Sequence, residues 1–328
     1  MDDLKNTVPE ETLSAEPETV TETLPEVTEP TSLKDSVMHE KNMREVSNKQ
    51  KVSKILSQIA LYAFLGFMAL VVLFPFYWML ISSVKTIEEY ERSVPTLFPQ
   101  EFVFKNYVTA FNAAHLGRLF LNTVLVGVVS TFLSLIITVL AAFAFARLEF
   151  KGKETLFAIL LATMMIPGEL FTITNYQTVN DFGWMHTYTV LIVPFLVSVF
   201  YIYLLKQNFM QIPNELYLAA KVDGTTDLKY LWKVMIPLAL PTLISITILK
   251  MMGSWNSYIW PKLVADDEAH RLVTNGLRAI SFAEDGTSRP NIPVQMAAVS
   301  IVSAPLFMVF IFLRKYIMKG VSRSGIKG

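Results

Sequence analysis

Charge is laid along this chain in blocks, and the gaps between the blocks set the frame. No Asp, Glu, Lys or Arg occurs in residues 55–84, 119–146, 182–205 or 290–313. Each gap is long enough to cross a bilayer as a helix, which takes about 20 residues. Two more apolar stretches, 155–180 and 234–261, are each broken by one charge, Glu169 and Lys250 respectively. A charge at bilayer depth is costly and marks function, so allowing one apiece keeps both stretches as spans. The pattern predicts an all-α membrane protein with six transmembrane helices. The run at 55–84 starts too deep in the chain for a cleaved signal and lacks a small-residue cleavage site, so it reads as the first span.

Composition narrows the class further. The chain of 328 residues is 52% apolar and 17% charged, and its mean hydropathy is +0.42. That leaves too little polar surface to cover a soluble globule. With no cysteine, a disulfide framework, a thiol nucleophile and an iron-sulfur site are excluded. The four histidines, His39, His115, His186 and His270, have no ligand spacing, so no metal site is expected.

Orientation follows from Lys and Arg, which accumulate in cytoplasmic loops. Seventeen lie on the side that holds both termini and the second and fourth loops, among them Arg147, Lys206 and Lys221. Eight lie on the other side. The expected topology is therefore N-in/C-in, in the cell membrane. Residues 1–40 carry eleven acids against Lys5 and Lys34. Residues 1–50 read as a disordered acidic cytoplasmic tail, because a Glu-, Pro- and Thr-rich stretch cannot bury enough apolar area to offset its ordering entropy. Residues 51–328 then form the transmembrane domain.

Two loops face outward in this scheme. Residues 85–118 hold Phe98, Phe102, Phe104, Tyr107 and Phe111, which predicts a structured excursion with a short helix around 107–113. Residues 262–289 are charged, and Glu284-Asp285-Gly286 reads as a turn.

The fourth loop, 206–237, faces the cytoplasm and is the most informative segment. Pro213-Asn214-Glu215 resembles a helix start, with Asn214 as cap and Glu215 at the positive end of the dipole. Leu216, Ala219, Ala220 and Asp223 follow on one helical stretch, and Gly224 can take the left-handed conformation that ends it. A second helix should enter near Thr225 or Thr226 and run through Leu228, Leu231, Trp232 and Met235 until Pro237 stops it. Helix, glycine turn and helix make a rigid knob, and small alanines let another protein approach it closely.

These residues resemble the permease subunits of binding-protein-dependent ABC importers, in particular the carbohydrate-uptake branch. That family carries E-A-A, three residues, Gly, and then I-x-L-P. Here the run is Glu215 to Gly224 with Ala219 and Ala220, followed by Ile236-Pro237-Leu238 and Pro241. Leu218 stands where the motif has Glu, and Thr225 where Ala is usual. The resemblance extends over about 55–328. Leu121-Asn122-Thr123 is similar to the N-S or N-T at the start of span two. Ala144-Phe145-Ala146-Arg147 and Phe150-Lys151-Gly152-Lys153 are similar to A-F-A-R and F-x-G-(K/R), and Trp255-Asn256 to the W-N pair. Gly325-Ile326-Lys327-Gly328 matches the ending of the smaller maltose-type permease.

The resemblance implies a mechanism. The loop helix, with Glu215, Ala219, Ala220, Asp223, Gly224 and Pro237, would sit in a cleft of a cytoplasmic ATPase. The C-terminal Gly325, Lys327 and Gly328 would reach into the ATPase dimer interface. No G-x-x-x-x-G-K-(S/T) phosphate loop occurs, so this chain should bind no cofactor and leave ATP to its partner. A second homologous permease, an extracytoplasmic sugar-binding protein and membrane lipid complete the expected partners; nucleic acid is not among them.

Candidates for the translocation path are Glu169, Lys250 and Asn256. At 1.5 Å per residue, Glu169 and Lys250 come out near 20 Å from the cytoplasmic face, a depth that permits an ion pair. A purely structural pair between helices fits the same positions. Asn175, Tyr176, Trp255, Asn256 and Tyr258 could stack on and hydrogen-bond sugars, but an interfacial aromatic belt explains the same residues. Two other classes remain. A self-contained secondary transporter or channel would normally show internal repeats or several intramembrane ionisable residues, and a membrane-embedded enzyme would need a nucleophile or ligand cluster. Catalysis is not expected.

Overall fold

The computed structural model describes residues 33–280, 282 and 290–322. The acidic stretch before Leu33, the expected turn at Glu284-Asp285-Gly286 and the C-terminal Gly325, Lys327 and Gly328 lie outside the described residues. Among the described residues the regular elements are all helices, without strands. The first helix, α1, runs from Leu33 to Ser83. It therefore includes residues 33–50, which the sequence reading placed in the disordered tail. The physical reason is local: the last proline of the tail is Pro30, and Lys, Glu, Met, Arg and Gln then supply good helix formers.

Two compact units divide the chain inside α1, one ending at Leu70 and the other starting at Val71. In the first, every residue from Ser53 to Leu70 is exposed, apolar side chains included. In the second, α2 (Ile87–Tyr90) and α3 (Lys105–Ala113) form the first excursion, whose short helix lies where the aromatic pattern set it. Its fold is held by buried charge. Lys85 donates to the Thr96 carbonyl at 2.5 Å, and Glu89 accepts from the Thr96 hydroxyl and the Gln100 amide. Burial pushes the Glu89 carboxyl up, but those hydrogen bonds and Lys85 outweigh it and hold the group below the usual carboxylate range.

Next come α4 (Leu116–Arg147), α5 (Lys153–Thr163), a 3₁₀ turn (Gly168–Phe171), α6 (Thr172–Asp181), α7 (Tyr188–Ile192) with its 3₁₀ extension to Phe195, and α8 (Val199–Met210). The fourth loop holds α9 (Asn214–Val222), α10 (Asp227–Tyr230), a π turn (Leu231–Met235) and α11 (Ile236–Leu238). The chain then continues as α12 (Leu240–Trp255), α13 (Ile259–Val264), α14 (Val273–Ala279) and α15 (Ile292–Ser322). Stretches Ser53–Ser83, Leu116–Arg147 and Ile292–Arg314 are each long and apolar enough to cross a bilayer. The other three apolar runs are bent pairs: α5 with the segment to Asp181 by 83°, Tyr188–Phe195 with α8 by 45°, and Asp227–Leu238 with α12 by 80°.

Helix α4 is the centre of the second unit and packs against α8 and α12. Its inner stripe is small and polar, with Thr123, Gly127, Ser130, Ser134 and Thr138; the hydroxyl residues are all buried. Between membrane helices little hydrophobic drive is available, so close approach over small residues supplies the packing. At Gly127 an added Cβ would already touch the Met251 sulfur at 3.4 Å. Below that stripe, Val139, Phe143, Leu205, Phe209, Tyr230, Leu231 and Met235 form one apolar core, which joins α4 and α8 to the fourth loop.

Candidate functional site

The fourth loop builds a knob on that core. Pro213, at φ −54° and ψ 135°, precedes the first helical residue, so Asn214 is inside α9 and makes no cap; the proline's fixed geometry sets the start instead. Glu215 occupies the first turn as expected. Gly224 has φ +70°, and the Thr225 amide reaches back to the Ala220 carbonyl at 2.8 Å while the Gly224 amide reaches Lys221 at 3.0 Å. This is a left-handed helix stop, for which glycine is the residue of least strain. Thr226 then precedes α10.

Pro237 does not stop the second helix. The π turn gives the Ile236 amide the Leu231 carbonyl, the helical path runs on through Pro237 to Leu238, and the break falls at Ala239. A proline lacks the amide that an α-helix would need there, and a wider turn just ahead of it absorbs the mismatch.

The turn is locked from both sides. Asp227 accepts from the Tyr217 hydroxyl at 2.8 Å and pairs with Lys221 at 2.7 Å, and the Tyr217 ring lies 5.1 Å from that of Tyr230. The Lys221 and Tyr217 hydrogen bonds hold the Asp227 carboxyl below its ordinary value of 3.8. A carboxyl lowered on folding stabilises above its unfolded value and loses that contribution as pH falls through the folded one. Asp227→Asn should therefore melt roughly 1–3 °C below wild type at pH 7, as for an exposed pair, and the gap should close as pH drops below 3.8. Differential scanning fluorimetry of the purified protein across pH 3–8 checks it.

What the lock presents is an open face. Glu215, Leu218, Ala219 and Val222 recur at helical spacing and are all exposed, Leu218 by 56% and Val222 by 88%. Ala220 is half-buried and faces the apolar core, so it spaces α9 from the body of the protein. Asp223, with Gly224 beside it, is exposed at the end of the helix.

Arg147 anchors the knob's base. It is buried, and its guanidinium donates to the Phe209 carbonyl at 3.0 Å and the Ile212 carbonyl at 2.5 Å. One side chain on α4 thereby ties the end of α8 to the turn that leads into α9. Charge counting alone read Arg147 as a topology marker; its position at the end of a long apolar run was the available signal.

Asn122 and Thr123 form a second tie at the opposite end of α4. The Asn122 amide donates to the carbonyls of Ala269 (2.8 Å) and Arg271 (3.0 Å) and accepts from the Tyr188 hydroxyl at 2.8 Å. Thr123 accepts from the Val273 amide. Nearby, His186 and His270 both meet Asp267, at 3.2 and 2.7 Å. Burial pushes that carboxyl up, and the bonds to His270 and His186 prevail to hold it low. Asp267 and His270 are three residues apart, whereas His186 comes from 81 residues away.

A cavity of about 370 Å³ opens between α4, α8 and α12. Its polar wall comprises Ser130, Ser198, Tyr201, Lys250, Ser254 and Ser257. The Lys250 ammonium donates to the Phe195 carbonyl. Among the described residues it has no ion pair with Glu169, which is exposed on the 3₁₀ turn beyond the break in its span. The straight-helix depth estimate therefore does not apply to Glu169. Asn256 is exposed and turns its amide back to the Met252 carbonyl at 2.9 Å. Trp255 is buried against Phe120, and Arg278 stacks over Tyr258, so both rings are occupied by the protein itself. Asn175 and Tyr176 are exposed on α6.

Comparison with known proteins supplies the context. Residues 134–323 match the family described as binding-protein-dependent transport system inner membrane component. The arabinooligosaccharides transport system permease protein AraQ of Halalkalibacterium halodurans is 29% identical over 283 residues, covering 85% of this chain and 100% of that protein. The inner membrane ABC transporter permease protein YcjP of Escherichia coli is 30% identical over 280 residues, covering 84% and 98%. A crystal structure of a bacterial ABC transporter involved in the import of the acidic polysaccharide alginate has a chain that superposes with a TM-score of 0.74 at 25% identity, covering 80% of this chain and 97% of that one.

Proposed function

Because the chain belongs to the family of binding-protein-dependent transport system inner membrane components, we propose that it is the membrane-spanning permease subunit of an ATP-driven importer for a sugar or oligosaccharide. Each bent pair counts as one span, which makes six, and the Lys and Arg excess puts both termini and the α9 knob in the cytoplasm. The knob docks in a cleft of a separate ATPase, and Gly325, Lys327 and Gly328 reach the ATPase dimer interface. ATP is consumed there, and this chain holds no cofactor. A second homologous permease completes the path, and an extracytoplasmic sugar-binding protein delivers the cargo. The names of the relatives support the sugar class: one is described for arabinooligosaccharides and the solved importer for alginate.

The observation that carries the reading is the exposed face of Glu215, Leu218, Ala219 and Val222 on a helix whose inner side is locked to the core. A mobile loop transmits no force, whereas a stopped and bolted helix does. Affinity purification from gently solubilised membranes, followed by mass spectrometry, tests it. Wild type should bring down an ATPase and a second permease. An Ala219→Glu/Val222→Asp double variant, which touches only exposed positions, should keep the permease and lose the ATPase. Recovery of the chain alone, under conditions that hold a known importer together, would point to an autonomous transporter or channel.

A further inference from the structure

We infer that the cavity beside Lys250 is a subsite for a sugar ring that carries a carboxylate, with the Lys250 ammonium as its counter-charge. The inference rests on the reading of the chain as a sugar permease and adds the chemical class of the cargo. The cavity, at about 370 Å³, lies within the range of small-molecule sites. Its wall is mixed, with an apolar side that includes Val126, Leu191, Phe195, Trp260 and Leu272 and a polar side. Serines 130, 198, 254 and 257 and the Tyr201 ring form the polar side together with Lys250. Ser130 and Ser254 meet each other at 3.4 Å and Ser198 accepts from the Tyr201 amide, and a hydroxyl that both donates and accepts keeps a further position for a cargo alcohol.

Lys250 is the informative member. It interrupts an otherwise uncharged run and sits on α12, five residues before the end of that helix. A charge at such depth is expensive and is kept only where a partner or function recovers the cost. An ammonium carries three donors, and the contact found for it is the Phe195 carbonyl. The ion pairs among the described residues involve His186, Lys221, Lys262, His270 and Arg271, not Lys250. A neutral sugar would leave the charge uncompensated. A uronic-acid carboxylate compensates it, while the ring hydroxyls meet the serines.

The test is calorimetric titration of the purified permease–ATPase complex in nanodiscs, with and without ATP. The two probes are digalacturonate and galactobiose, which share ring stereochemistry and size and differ in their carboxylates. Wild type should bind digalacturonate at least tenfold more tightly than galactobiose. Lys250→Met should weaken digalacturonate at least tenfold and leave galactobiose unchanged, and Lys250→Arg should restore part of the preference. Equal affinities in wild type, no measurable binding of digalacturonate, or a preference that survives Lys250→Met would each overturn the subsite. Loss of the second permease from the Lys250→Met complex would assign the charge to subunit pairing and overturn it as well. ATPase recovery and hydrolysis are read on the same samples. Their absence counts against the importer reading itself, whereas their presence without an acid preference removes only the subsite.

Discussion

Arg147→Met should lower the melting temperature of the purified chain by more than any surface substitution, and should abolish transport while the protein still reaches the membrane. The guanidinium spans the carbonyls of Phe209 and Ile212. Phe209 lies in the last turn of α8, where a positive charge is favoured, and Ile212 lies two residues past its end; the Phe209 carbonyl also accepts from the Ile212 amide at 3.2 Å. A hydrogen bond to a charged group is worth about 1.5–3 kcal/mol, and an orphaned buried acceptor costs about 1–3 kcal/mol. Removing one buried side chain that serves two carbonyls therefore falls at the upper end of single-residue effects. Arg147→Lys should land between, since a point charge with a shorter reach serves one carbonyl better than two. Thermal unfolding of the detergent-solubilised protein reads the first effect and uptake in membrane vesicles the second. Wild-type stability in Arg147→Met would show that the contact is incidental.

Gly224→Val is expected to uncouple the two halves of the cycle. The residue sits at φ +70°, and a side chain built there would meet nothing within 4 Å. Any effect must then come from the backbone, because no neighbour is displaced. A β-branched residue is strained in that region by about 1–3 kcal/mol, and relief requires α9 to rotate away from its lock on Asp227 and Tyr230. If α9 couples to an ATPase as proposed, driving a gate from about 1:99 to 99:1 requires the ATPase to favour one state by roughly 5.5 kcal/mol, and slack in α9 would be felt directly. In proteoliposomes the ratio of sugar imported to ATP hydrolysed should fall at least tenfold for Gly224→Val. Gly224→Asn, tolerated in the left-handed region, should stay near wild type. Equal ratios for all three proteins would detach α9 from coupling.

Much of this site was legible in the sequence because it depends on neighbours. The helix from Asn214, its stop at Gly224 and the restart near Thr226 follow from contacts three to six residues apart, which local patterns report. The misreadings were also local in cause. Asn214 competes with the fixed geometry of Pro213, and Pro237 is accommodated by the π turn ahead of it. Apolar runs reveal that a segment can lie in a bilayer but not that it bends, so the 83° and 80° breaks near Pro167 and Ala239 were invisible to hydropathy. Long-range ties were beyond reach for another reason. Arg147 finds its acceptors 62 and 65 residues away, and His186 reaches Asp267 across 81 residues with no spacing that announces it.

The tie at Asn122 also sets a clock on assembly. Its carbonyl partners lie 147 and 149 residues further along the chain. At about 5–20 residues per second, a ribosome needs roughly 7–30 s after finishing Asn122 before those partners exist. For most of that interval α4 is already made, and the Asn122 oxygen can meet the Tyr188 hydroxyl 66 residues on, yet its two N–H donors have no carbonyl to hold. The latch is therefore completed late by necessity, and a chain interrupted before residue 269 leaves Asn122 with Tyr188 alone at that end of α4 however well its apolar length is placed.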